Sequence, residues 1–275
     1  MSVKIGITEA GDPSFDYSWV EKAQDMDMLI LITKNITDKF IDEIMKVKHK
    51  TILHATCTGY GGTVLEPNVP DYKEQLNQVK KLIANGFPKE QIVIRVDPII
   101  PTQKGFGNLM KVVSYIASDV QRFRISILDN YKHVQERFKA HKLPVLYKGE
   151  FQASKEEFDN ADSVLRQLKK IYGVNFECCA EPNLTEATKI GCVSNRDLAM
   201  FGLSADNVLA GQRKTCLCVA GKTELLRHKR YGRCRKFGID DSLGGSCGIG
   251  NNCGKCEHHE VFGCPNACLY CYWRT

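Results

Sequence analysis

Over its first two thirds the chain alternates short apolar, β-rich runs with amphipathic helical stretches, and that rhythm leaves few architectures open. Val3 to Thr8 reads as a strand and Tyr17 to Asp25 as a helix. Met28 to Thr33 is a buried-strand run, Asp38 to Val47 a helix, and Thr51 to Thr56 the next strand. The helix that follows is strongly marked: Pro70 stands near its first turn, Tyr72, Leu76, Val79 and Ile83 recur at helical spacing, and Gly86 stops it. Ile92 to Val96 is a strand ended by Asp97-Pro98, and a helix over Asn108 to Ala117 leads to the strand Phe123 to Leu128. Ser154-Lys155-Glu156-Glu157 is a capping box opening a helix to Tyr172, and Val174 to Cys178 makes another strand. Such alternation implies parallel strands joined by helices, hence an α/β barrel or an open sheet. A length of 275 residues suffices for one large α/β domain, or for one domain and a small module.

From about Cys192 the rhythm breaks down. Residues 203–260 carry six of the thirteen cysteines, many glycines and a basic stretch from Arg227 to Lys236, so an irregular metal-stapled module is expected there. The cysteine count is odd, the cysteines crowd into the last third, and no secretory leader precedes Ser2-Val3-Lys4. These facts argue for metal binding in a reducing cytoplasm (a host's, if the gene is a phage's) and against a disulfide scaffold. No apolar run reaches membrane-spanning length. A formal charge of +6 favours a polyanionic partner, though weakly by itself.

Near the end stands Gly263-Cys264-Pro265-Asn266-Ala267-Cys268-Leu269-Tyr270-Cys271-Tyr272, with three cysteines spaced CxxxCxxC. Three thiolates this close can hold three corners of one iron–sulfur cube, leaving the fourth iron open to a small molecule. The competing reading is a structural zinc whose fourth ligand comes from Cys256, His258 or His259, although zinc modules favour CxxC pairs. Three internal stretches accompany this motif: Ile32-Thr33-Lys34-Asn35; Thr56-Cys57-Thr58-Gly59-Tyr60 ahead of Leu65-Glu66-Pro67-Asn68-Val69-Pro70; and Arg95-Val96-Asp97-Pro98-Ile99-Ile100-Pro101. With Cys178-Cys179-Ala180-Glu181, the set resembles an uncharacterised radical S-adenosylmethionine (SAM) family with a C-terminal CxxxCxxC motif, related to spore photoproduct lyase and photolyase-like radical-SAM proteins.

The resemblance implies a circularly permuted, partial TIM-type barrel of parallel strands with a Cys-rich metal-binding insertion. The barrel would span 1–190, the Cys-rich basic segment 191–260, and the final strand and cluster loop 261–275, with Glu260-Val261-Phe262 beside the first strand. It implies that Cys264, Cys268 and Cys271 hold a 4Fe–4S cluster, that SAM binds the open iron with Tyr270 beside its adenine, and that Lys34 and Thr56 meet its carboxylate. Cys57 would return a hydrogen atom, as the lyase's cysteine does from another position. Arg95 and Asp97 alternate onto one face of their strand, where they form either a structural pair or a contact to substrate or SAM. Ser126 and Asp129 on the next strand are a similar case, and Tyr60 and Tyr131 either relay a hydrogen atom, stack on a base or simply pack.

Cys179, Cys192, Cys216 and Cys218 recur in that family and could close an auxiliary Fe–S cluster. Cys234, Cys247, Cys253 and Cys256 form a second set ending in CxxC, for another cluster or a zinc ion. Arg227, Lys229, Arg230, Arg233, Arg235 and Lys236 make a phosphate-contacting surface or a solvated loop. The expectation is an enzyme that, with an external electron donor, reductively cleaves SAM to a 5′-deoxyadenosyl radical. Its substrate would be a nucleic-acid base, a DNA pyrimidine, in thymine-lesion repair or rearrangement of a hypermodified thymidine. The alternatives are radical chemistry on a small metabolite or peptide, and a non-catalytic zinc protein that binds nucleic acid.

Overall fold

The computed structural model describes residues 3–179, 181–205, 217–227, 231–234, 239–240, 259–262 and 264–272. Its centre is an eight-stranded, all-parallel sheet made by β1 (Ile5–Ile7), β2 (Met28–Thr33), β3 (Thr51–Thr56), β4 (Ile92–Ile99), β5 (Arg122–Ile127), β6 (Asn175–Cys178), β7 (Thr188–Lys189) and β8 (Thr223–Glu224). The order is β7-β6-β5-β4-β3-β2-β1-β8. It never reverses between β1 and β7, unlike a doubly wound sheet. Among the described residues β7 and β8 are not joined. The fold is thus α/β with one parallel sheet.

The connections are α1 (Trp19–Lys22), α2 (Asp38–Lys46), α3 (Tyr72–Ala84), α4 (Gln103–Ile116), α5 (Lys132–Ala140) and α6 (Lys155–Tyr172), followed by α7 (Asn195–Ala199). Their ends obey local chemistry. Asp71 caps α3 by accepting the Lys73 and Glu74 amides at 2.7 and 3.2 Å. Ser154 and Glu157 close a reciprocal capping box on α6, which stops at Gly173 in the left-handed region.

Strand alternation divides the sheet into two faces with different cover. Leu29, Leu31, Leu53, Ile92, Ile94, Phe123 and Ile125 point toward the helices and pack with Phe40, Ile44, Leu76, Val79, Leu109, Val112 and Leu165. Each such side chain, fully buried, contributes roughly 1.5–3 kcal/mol. The opposite, inner face carries Ile5, Ile7, Met28, Ile30, Ile52 and Val93 under Cys192, Val193, Leu198 and Cys218. Cys192 to Leu198 and Cys218 therefore cover this face, while Thr223–Glu224 of the same stretch joins the sheet as β8.

Four expectations need correction. The first helix is one turn followed by a 3₁₀ turn over Ala23–Asp25. β4 continues through Pro98 to Ile99, paired with Ile127 of β5. α4 begins at Gln103 rather than Asn108, because the Thr102 hydroxyl accepts the Gly105 amide and caps a glycine-containing first turn. A late strand does lie beside β1, but it is β8. Glu260-Val261-Phe262 instead belongs to β11 (His259–Phe262), antiparallel to β9 (Tyr231–Cys234), which also pairs with β10 (Ile239–Asp240). Cross-strand partners for the β11 backbone come from its own insertion, which is the shorter connection. No helix among the described residues is long and apolar enough to cross a membrane.

Candidate cofactor site at the C-terminal edge of the sheet

In a parallel sheet all strand C-termini emerge at one edge, where the loops can converge. Here that edge receives Cys264–Tyr272. The Leu269 amide donates to the Leu65 carbonyl at 3.0 Å, and Asn68 Nδ2 donates to the Pro265 carbonyl at 2.8 Å. From α5, Arg137 donates through Nε to the Leu269 carbonyl and through Nη2 to the Cys271 carbonyl, both at 2.7 Å. From the loop after β1, Asp12 accepts Asn266 Nδ2 at 2.8 Å. The same carboxylate accepts the Thr33 hydroxyl at 2.6 Å and the Lys34 amide at 2.9 Å, so it stitches β1, β2 and the cysteine loop together. Cys268, Leu269 and Tyr270 pack with Tyr60, Val69, Ile100 and Leu128 in a separate apolar cluster.

Beneath the loop sits a buried ionic group. Glu66, 1% exposed, accepts Lys34 Nζ at 2.7 Å, the Thr58 hydroxyl at 2.8 Å and the Tyr270 hydroxyl. Lys34 Nζ also lies 2.9 Å from the Tyr270 oxygen. Burial alone would lower the Lys34 pKa, but the Glu66 carboxylate, with Cys268 and Asp97 adding to it, outweighs burial and the ammonium is held above its ordinary value. Burial pushes the Cys268 thiol up to about 12, with Lys34 opposing and Glu66, Cys271 and Cys264 adding to the rise. Cys264 is pushed up to about 11, again mainly by burial, with Asp12 and Cys271 contributing. The three thiols therefore lie near enough to feel one another's charge. As free thiols Cys264 and Cys268 keep their protons at neutral pH.

Among the described residues no three His, Cys, Asp or Glu side chains are drawn together as a metal-binding group. The donor chemistry of the loop nevertheless suits a 4Fe–4S cluster: three soft thiols share one docked loop, beside a lysine whose charge favours their thiolates.

The inner face holds the other strand-borne groups. Arg95 and Asp97 form an ion pair, and the Ser126 hydroxyl also donates to Asp97. Burial alone would raise the Asp97 pKa; Arg95, together with the Ser126 hydrogen bond and Lys34, more than reverses this and holds the carboxyl below its usual range. Arg95 Nε is buried with no partner. Deeper in, Arg122 and Arg124 share Glu177, and Arg122 Nη2 also donates to Asp197 at 2.8 Å. His54 lies among these cations, fully buried, with neither ring nitrogen bonded. Burial first, then Arg124 and Arg95, hold its pKa far below the ordinary value. Cys192 and Cys218 meet at the same face. A hydrogen bond from Cys218, against the opposing effect of burial and with help from Arg124 and Arg95, holds the Cys192 thiol below its ordinary range.

The sequence-derived candidates thus separate into groups. Lys34, Tyr270, Cys264, Cys268 and Cys271 converge at the sheet edge, while Arg95, Asp97 and Ser126 are bonded together on the inner face. Thr56 is the last residue of β3, buried. Cys57 faces the opposite way, into the helix layer, where it lines a small cavity with Ala55, Gln75 and Leu76. Its thiol is pushed well above the ordinary range by burial, with the nearby Glu66 carboxylate adding to the rise. Cys192 and Cys218 come together, and Cys179 is half-buried after β6. Cys216, Cys247, Cys253 and Cys256 lie outside the described residues; Cys234 contributes backbone to β9.

Sequence reasoning missed Asp12, Glu66, Asn266, Arg137 and Glu181. Glu66, Asn266 and Glu181 lie inside the motifs themselves, yet nothing in a motif says which neighbour bonds which. Glu181 accepts the Ile127 amide at 3.0 Å, and burial pushes its carboxyl up to about 8.

Residues 5–223 match the family model described as a domain of unknown function, DUF1848. The chain belongs to the DUF1848 family. The DUF1848 match takes in the sheet from β1 to the first residue of β8, and with it Asp12, Lys34, Thr56, Glu66, Asp97 and Arg137. Residues 264–272 lie beyond it. No curated protein and no solved structure matches the chain.

Proposed function

We propose that this chain is a radical-SAM enzyme whose 4Fe–4S cluster is held by Cys264, Cys268 and Cys271, and whose sheet is part of a permuted barrel. The observation that carries the reading is the docking of the CxxxCxxC loop on the C-terminal edge of a parallel sheet, pinned there by Arg137, Asp12 and Asn68. Bound together, the cluster and SAM supply reductive cleavage of SAM to a 5′-deoxyadenosyl radical.

The chain's own residues have definite tasks in this scheme. The three cysteines lose their protons to ligate iron, so uptake releases protons and weakens as pH falls. Lys34, kept charged by Glu66, provides a cation for the SAM carboxylate, and Thr56 a hydroxyl. Tyr270, fixed by its bond to Glu66, keeps its ring beside the same position. The Arg95–Asp97–Ser126 group lines the inner face toward substrate. Cys179, Cys192, Cys216 and Cys218 serve as candidate ligands of an auxiliary cluster, and Cys234, Cys247, Cys253 and Cys256 of a second cluster or zinc. The substrate is a nucleic-acid base, a DNA pyrimidine, on the strength of the basic stretch from Arg227 to Lys236 and the family likeness. A base inside duplex DNA would have to be flipped out to reach such a mouth.

Anaerobic reconstitution with iron and sulfide, followed by dithionite and SAM, tests the reading. The expected result is brown protein that forms 5′-deoxyadenosine, with Cys268→Ala forming none. Colourless zinc protein, or fully loaded iron–sulfur protein that yields no nucleoside, would overturn it.

A further inference from the structure

Beside the cysteine loop the molecule presents a group of aromatic rings that the proposed chemistry does not use. Tyr131, just before α5, lies 6.1 Å from Tyr272 between ring centroids, with planes 30° apart. It stacks on His133 at 5.5 Å and 21°, and meets Phe151 edge-on at 5.0 Å and 84°. The outer rings are open to solvent, Tyr272 being 41% and Phe151 45% exposed. Tyr272 directly follows Cys271, and Arg137 of α5 is bonded to the Cys271 carbonyl, so rings and loop are held in fixed relation. A water-facing aromatic group costs hydrophobic free energy that a purely structural cluster would avoid by burying it. The charge around it has one sign in excess: between Tyr131 and Phe151 the exposed charged side chains are Lys132, Lys139, Lys142 and Lys148 against Glu136 and Glu150.

We propose that Phe151 and Tyr272, both packed on Tyr131, form a stacking platform for the bases of a single-stranded nucleic-acid segment, whose phosphates run along the lysines of α5 and the loop after it. Rings exposed beside cations are the arrangement that binds single strands with little sequence preference, because every base has a π-face and every nucleotide a charge. The platform rests on the reading of the chain as a nucleic-acid enzyme and adds where the strand lies. A base stacked on Tyr272 sits one residue from a cysteine of the cluster loop.

The test is fluorescence anisotropy with labelled oligothymidylate and the reconstituted protein, with inorganic polyphosphate as competitor. Phe151→Ala and Tyr272→Ala are expected to weaken binding about fivefold or more each. Phe151→Trp and Tyr272→Trp should restore it, and Ile171→Ala, an exposed side chain on α6, should leave it unchanged. Ring variants that bind like the parent overturn the platform, as does complete displacement of the oligonucleotide by polyphosphate at equal charge. Ring-dependent binding without 5′-deoxyadenosine would sink the enzyme reading and leave the platform standing; nucleoside formation without ring-dependent binding would do the reverse.

Discussion

Removing the Glu66 carboxylate should loosen the cysteine loop as well as destabilise the chain. Glu66 is almost fully buried and accepts from Lys34, Tyr270 and Thr58, while the Lys34 side chain is only 17% exposed. Glu66→Ala leaves a charged amine and two hydroxyls without their acceptor. Breaking one side of a buried ion pair costs about 3–5 kcal/mol, and the partial exposure of Lys34 points to the lower end. For a chain of this size that corresponds to a fall of roughly 6–12 °C in the melting midpoint. Glu66→Gln isolates the charge, since its amide oxygen still accepts from a hydroxyl. In the parent, the Lys34 pKa is raised, so its stabilising contribution is full below the unfolded value of about 10.4 and disappears as pH rises through the folded value. In Glu66→Gln the largest opposing contribution to burial is gone, so the Lys34 pKa falls. The stability gap between the two proteins should therefore persist at neutral pH and narrow above about pH 10. Urea unfolding under reducing conditions measures the gap, and the rate of thiol alkylation at Cys268, mapped by mass spectrometry, measures the loosening. A loss below about 1 kcal/mol, as for a surface pair, together with unchanged alkylation, would refute the argument.

Three further outcomes follow from the same geometry. Arg137→Met removes two hydrogen bonds to the loop carbonyls and should cost about 1.5–3 kcal/mol while raising Cys271 alkylation; unchanged labelling would mean that the tether does not hold the loop. Glu181 has a folded pKa raised to about 8, so its contribution is full below the unfolded value of about 4.3 and is lost as pH climbs through about 8. Glu181→Gln should flatten the decline of stability across that window, and a pH–stability curve parallel to the parent's would contradict this. Asp12→Asn removes a carboxylate that raises the Cys264 pKa, so metal-free protein should alkylate faster at Cys264 above neutral pH, checked by timed labelling.

Much of the scaffold could be read before any coordinates, because its signals are local. The alternation of β2, α2, β3 and α3 lies in single segments with clear caps, and the parallel sheet follows from it. α5 escaped because it buries only Val134 and Phe138, too thin a stripe to register against its lysines. The start of α4 escaped because Gly105 and Gly107 argue against a helix that Thr102 nonetheless caps. Within the site, Cys264, Cys268 and Cys271 announce themselves by spacing, and the Arg95–Asp97 contact follows from strand alternation. Glu66, Asp12 and Arg137 could not be found that way: their partners are 32, 254 and 132 residues distant, and only folding brings such residues together.

The stitch between Asp12 and Asn266 spans 254 positions, from the loop after the first strand to the middle of the cysteine loop. During synthesis, the sheet's strands can pair one after another as they leave the ribosome, while Asp12 waits for a partner made much later. Until the stretch through Tyr272 has emerged, Lys34 and Glu66 face an open mouth rather than a docked loop. A ribosome that stalls within the insertion would hold a sheet with its framework in place but without the loop that docks on its edge, so completion of this site comes late in synthesis.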